Sequence, residues 1–167
     1  MNTTVPNTSE TFANTLVKAW TTQVSRINDV LAAIPDEDML KEIAPGKNTG
    51  IYVLGHLAAV HDAMLPLLGF GQRLYPHLEE PFIKSADGSG HQFPSVAELR
   101  SAWNEVNSVL DRHITNLDAD EWLTRHNAVS PEDFAKEPHR NKLAVLISRT
   151  THMSYHHGQL VWLKKKK

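Results

Sequence analysis

His152 and His156 stand four residues apart in the run His152-Met153-Ser154-Tyr155-His156-His157-Gly158-Gln159, late in a long apolar helical stretch. Residues at that spacing lie one above the other on one helix face. Two imidazoles so placed can aim at one point, as two ligands of a divalent metal ion must. Two ligands do not close a site. The third candidate is His56, on an earlier apolar stripe with Val53, Leu57, Val60 and Met64. A buried neutral imidazole needs partners for both ring nitrogens, so three lone imidazoles in one core would be costly. One metal ion would satisfy all three.

That donor set narrows the chemistry. Three imidazoles suit zinc, nickel, iron, manganese or another first-row divalent ion, without strong selection among them. Three protein ligands leave a position open for water or substrate, the pattern of a catalytic site rather than a closed structural one. Such an ion would lower the pKa of bound water and polarise an oxygen or sulfur ligand. Metal-bound histidines donate their other N–H to an outer acceptor, and Gln159, Asp62 and Tyr155 are the candidates. The alternative is a set of core histidines hydrogen-bonded to backbone or neighbouring side chains.

The remaining patterns are less productive. His152 is followed by Met153, so the His-Glu-x-x-His arrangement with a glutamate base is missing. No paired Glu-x-x-His motif points to a di-iron carboxylate bundle. The glycines at Gly69-Phe70-Gly71 and Gly88-Ser89-Gly90 match no phosphate-binding fingerprint and read as turns. His157 points about 100° from His156 and reads as a packing residue. His61 falls off the ligand face and reads as a surface or edge residue. His77 and His91 read as solvated loop residues, His113, His126 and His139 have no evident partner, and the four tryptophans read as packing residues.

Four long helical stretches must position these side chains. The first runs from about Glu10 to Ala33, with Phe12, Leu16, Trp20, Val24, Ile27 and Leu31 at helical spacing, Ser9 as N-cap and Pro35 beyond its end. The second runs from about Thr49 to Leu68, with Pro66 disturbing its last turn. The third, from about Ser95 to Leu117, carries Val96, Leu99, Trp103, Val106, Leu110 and Ile114. The fourth, from about His139 to Lys164, is apolar on more than one side, as a buried helix should be. A short helix is expected near Pro131 to Ala135. No stretch alternates with period two, so the fold class is all-α, a four-helix bundle. About 26 residues, Gly69 to Pro94, join the second and third helices. That length is unnecessary between antiparallel neighbours and predicts a crossover along the bundle, able to cover a site.

Length and composition set the frame. The 167 residues predict a single domain, 1–167, able to bury a proper core. A net charge of −2 gives no reason to expect nucleic acid or an anionic membrane as partner. The run Lys164 to Lys167 complements a helix C-terminus. With no cysteine, disulfides, thiolate metal sites and cysteine nucleophiles are excluded. Met1 to Ser9 is polar and no stretch reads as a bilayer span, so the expected location is cytoplasmic.

Gly55-His56-Leu57 in the second helix, with His152-x-x-x-His156-x-Gly158-Gln159-Leu160 in the last, resembles the DinB/YfiT-like metalloenzyme superfamily. The likeness extends over nearly the whole chain through helix order and loop lengths. It implies an up-down-down-up four-helix bundle with the long crossover between helices two and three. It also implies that His56, His152 and His156 are the metal triad, with water completing the shell, and that the chain forms a homodimer. Some related proteins transfer bacillithiol, mycothiol or glutathione or isomerise maleylpyruvate, and others are hydrolases. The first expectation is therefore a metal-dependent enzyme that transfers a low-molecular-weight thiol to an electrophile. The alternatives are hydrolysis by metal-bound hydroxide, a non-catalytic metal- or ligand-binding stress-response module, and a helical interaction protein with three core histidines. A carboxylate-binding role for Arg149 or Arg73 is a further expectation.

Overall fold

The computed structural model describes residues 7–164, so Met1 to Pro6 of the polar N-terminus and Lys165 to Lys167 of the lysine run lie outside the described residues. Among the described residues the chain is all-helical, with two isolated bridge pairs and no strand. The helices are α1 (Thr8–Ala32), α2 (Asp36–Met39), α3 (Gly50–Asp62), α4 (Met64–Leu68), α5 (Val96–Asn116), α6 (Pro131–Lys136) and α7 (Lys142–Leu160).

Local chemistry explains where each begins and ends. The N-cap of α1 is Asn7, not Ser9: the Asn7 side chain accepts from the Glu10 N–H, and Glu10 returns a bond to the Asn7 N–H. Ser95 and Glu98 close the same reciprocal box on α5, while Thr49 and Asn141 cap α3 and α7. The second stretch breaks at Ala63, between α3 and α4. Pro66 accounts for this, because it has no N–H for the Asp62 carbonyl and its ring crowds that carbonyl. The last helix starts at Lys142 and ends at Leu160, followed by the tight turn Val161–Leu163.

Contacts between named residues give the helices their relative directions. Asn28 meets Trp103, and Leu31 and Ile34 meet Arg100, so α1 and α5 run antiparallel. His61 meets Trp103 and Phe70 stacks on His113, so α3 and α5 run in the same direction. His56 meets His152 and His156, and Gly50 faces Leu163, so α3 and α7 run antiparallel.

The core sits around α3, every residue of which is buried except the half-exposed His56. The stretch Gly50–Leu68, spanning α3 and α4, is long and apolar enough by length and composition to cross a membrane, contrary to the sequence reading. It is the core helix here, with 72% of its most apolar window buried inside the protein. The α5 stripe is buried as its spacing predicts. Two expectations fail at the surface. Phe12 is exposed at the start of α1, and Trp162 is 79% exposed after α7. The fourth helix is also less enclosed than expected, since Ile147 and Tyr155 face outward. It is covered by α1 and α3, whereas α3 is covered by α5, α7 and the crossover.

The crossover is built rather than loose. It carries a tight turn at Pro76–Leu78 and a wide helical turn at Glu80–Lys84. Asp87 accepts from the Thr49 N–H and hydroxyl at 2.6 and 2.7 Å. The Tyr52 hydroxyl donates to the Ser85 carbonyl at 2.8 Å, and the fully buried Phe82 packs between Tyr52 and Phe93. The segment is thereby pinned along α3 beside His56.

Candidate metal centre

His56 comes from the middle of α3, and His152 and His156 from successive turns of α7. Their Nε2 atoms converge: His152 Nε2 lies 3.0 Å from both His56 Nε2 and His156 Nε2. The three donor atoms all fall within 4.8 Å of one another, a group that could hold a metal ion. Metal–nitrogen bonds of about 2.0–2.1 Å place neighbouring ligand nitrogens roughly 3.0 Å apart in an octahedral shell and about 3.3 Å apart in a tetrahedral one. The two pairs that involve His152 are already close to that spacing.

Hydrogen bonds on the far side of the rings decide which nitrogens carry lone pairs. His56 Nδ1–H donates to the Phe82 carbonyl at 2.6 Å, leaving Nε2 as an acceptor. Gln159 Nε2 donates to the Tyr155 hydroxyl at 3.1 Å, so Gln159 Oε1 is free to accept from His156 Nδ1–H at 2.7 Å. The Nε2 of His156 is then also an acceptor. His152 can offer a proton to one of these two nitrogens but not to both. At least one lone pair in the cluster lacks a donor, and His152 Nδ1 is buried without a partner. A cation at the convergence point removes the conflict and frees the His152 proton for Nδ1. The donor chemistry fits a divalent metal ion.

The electrostatics agree. Burial, reinforced by the neighbouring imidazoles, pushes His152 down to about 4. Burial also takes His156 to about 4 against the pull of Gln159, and it lowers His56 against the pull of the Phe82 carbonyl. All three rings are therefore neutral at pH 7, the form a metal ligand requires. His156 is buried, while His56 and His152 are half-buried.

The model of the DinB superfamily matches residues 19–160. The chain belongs to the DinB superfamily. The matched span contains all three histidines and both helices that carry them. No curated protein matches the chain at a significant level.

The structure brings together His56, His152 and His156, the three residues singled out by spacing. Of the expected outer acceptors, Gln159 is in place and Tyr155 supports it indirectly. Asp62 is not: its carboxylate accepts from the Leu74 and Tyr75 N–H groups at 2.7 and 3.1 Å, anchoring the start of the crossover. The acceptor for His56 is a backbone carbonyl, which has no side-chain signature in the sequence. His61 departs furthest from its sequence reading. It is wholly buried, stacked on Trp20 and tilted against Trp103, with Nδ1–H donating to Asn107 Oδ1 at 2.8 Å. Burial pushes it down to about 3. The available signal was that α3 is apolar all round and offers no solvent face for His61. His77 and His91 are exposed crossover residues, as expected, with His91 against the Ser85 hydroxyl.

Proposed function

We propose that this DinB-superfamily chain is a metal-dependent enzyme, with His56, His152 and His156 ligating one divalent ion. Zinc, nickel, iron and manganese are the candidate ions. The observation that carries this reading is the convergence of three neutral Nε2 atoms, two of them held as acceptors by Phe82 and Gln159. In the same proposal the chain is one domain, folded as an up-down-down-up four-helix bundle of α1, α3, α5 and α7. The antiparallel and parallel pairings described above support it. So does the long crossover that two like-directed helices require.

The proposed reaction is transfer of a low-molecular-weight thiol to an electrophilic small molecule. A metal ion in this site would lower the pKa of a thiol or water at its open position and make it nucleophilic at neutral pH. Among the described residues, no Asp or Glu hydrogen-bonds to any of the three histidines. A bound water would be activated in the same way, so hydrolysis by metal-bound hydroxide is the second reading. The proposed assembly is a homodimer, a reading supported by the outward-facing Ile147, Tyr155, Val161 and Trp162.

Cobalt substitution tests the reaction class. With cobalt in the site, a small thiol such as 2-mercaptoethanol should produce a sulfur-to-cobalt charge-transfer band. No band at saturating thiol, together with turnover of an activated ester, would replace the transferase reading with the hydrolase one.

A further inference from the structure

Arg149 projects from α7 one turn before His152, and at about 100° per residue it lies within roughly 20° of His156 around the helix. Its positive charge is close enough to bear on His56, His61 and His152. Its Nε is buried and makes no hydrogen bond. The other arginines turned toward the protein have partners: Arg73 pairs with Glu79, Arg100 with Asp36 and two helix-end carbonyls, and Arg125 with the Val129 carbonyl. Among the described residues no carboxylate lies within ion-pairing distance of Arg149.

A half-buried guanidinium without an anion is expensive to keep. The three neutral imidazoles make it more so, because they bring no negative charge to offset a divalent ion beside it. With the metal bound, the local formal charge would be about +3. We propose that Arg149 is an anion subsite of the histidine centre, and that the substrate carries a carboxylate near the atom that meets the metal. This rests on the metal-site reading above. The terminal N–H groups, which are not among the buried atoms and have no acceptor among the described residues, suit the end-on mode, in which a planar carboxylate spans both of them.

Two measurements on the full chain decide it. In zinc-loaded protein, calorimetry compares 3-mercaptopropionate with its methyl ester, which presents the same thiol without the charge. The wild type should prefer the acid by tenfold or more. Arg149→Gln should erase that preference with zinc content and ester affinity unchanged, and Arg149→Lys should restore part of it. An undiminished preference in Arg149→Gln, or none in the wild type, would overturn the proposal. The second measurement uses metal-free wild-type protein and follows the Arg149 Nε–H resonance by NMR during titration with succinate. A saturable shift is expected, and no shift at saturation counts against the subsite. If the protein holds no zinc, or binds neither thiol, the metal or thiol reading fails, and the resonance still judges Arg149.

Discussion

At the scale of single residues, the proposed metal site depends on which nitrogen of each ring is left as an acceptor. Gln159 performs this for His156, and its own orientation is fixed by the Tyr155 hydroxyl. Outer-shell partners of this kind are worth about 10–100-fold in metal affinity. Gln159→Leu should therefore weaken zinc binding by that factor in a chelator competition, with little change in the unfolding of the metal-free protein. Equal affinity in the variant would show that His156 needs no partner. Gly158, its neighbour in the motif, faces open space, and a Cβ there would meet nothing within 4 Å. The pairing of His152, His156 and Gln159 was legible from four-residue and three-residue spacing on one helix, and the place of His56 from its apolar stripe on another. Phe82 was not, because what it offers is a carbonyl, and every residue except its context looks the same in that respect.

At the scale of elements, the crossover and α3 are fitted to each other. A Cβ at Gly55 would lie 2.3–2.6 Å from three carbons of the Phe82 ring. Glycine at this point lets the wide turn Glu80–Lys84 approach the helix, and that approach carries the Phe82 carbonyl to His56. Gly55→Ala would gain about 0.5–1 kcal/mol in helix preference. The overpacking costs roughly 1–3 kcal/mol, so the clash should win. The variant should unfold at lower urea and bind zinc about tenfold more weakly, since displacing Phe82 releases His56. The helices themselves were readable because caps and apolar stripes are local signals. Which face of α7 would be covered was not, since Ile147 and Tyr155 look like core residues until the neighbours that fail to reach them are known. His61 was misplaced for a related reason: its position was judged against the apolar stripe of His56, although every residue of α3 but His56 is buried.

At the scale of the whole molecule, the buried imidazoles make stability depend on acidity. An unfolded histidine titrates near 6.5, whereas His61 is held at about 3 and His152 and His156 at about 4. Below pH 6.5 the unfolded chain takes up protons that the folded chain refuses. Stability of the metal-free protein is therefore complete above about pH 6.5 and is lost as the pH falls toward 4. His61→Leu should flatten that loss by at most about 1.4 kcal/mol per pH unit, read from urea unfolding at successive pH values. An unchanged slope would mean that His61 is protonated in the fold. The central claim is that two distant parts of the chain, α3 and α7, meet to hold one ion. Elemental analysis of untagged protein beside His56→Ala and His152→Ala tests it most directly. About one divalent ion per chain in the wild type, lost from both variants while each remains folded, is the result this account requires. No bound metal after incubation with zinc, nickel, iron or manganese would contradict it and leave the three histidines as core residues of a helical protein.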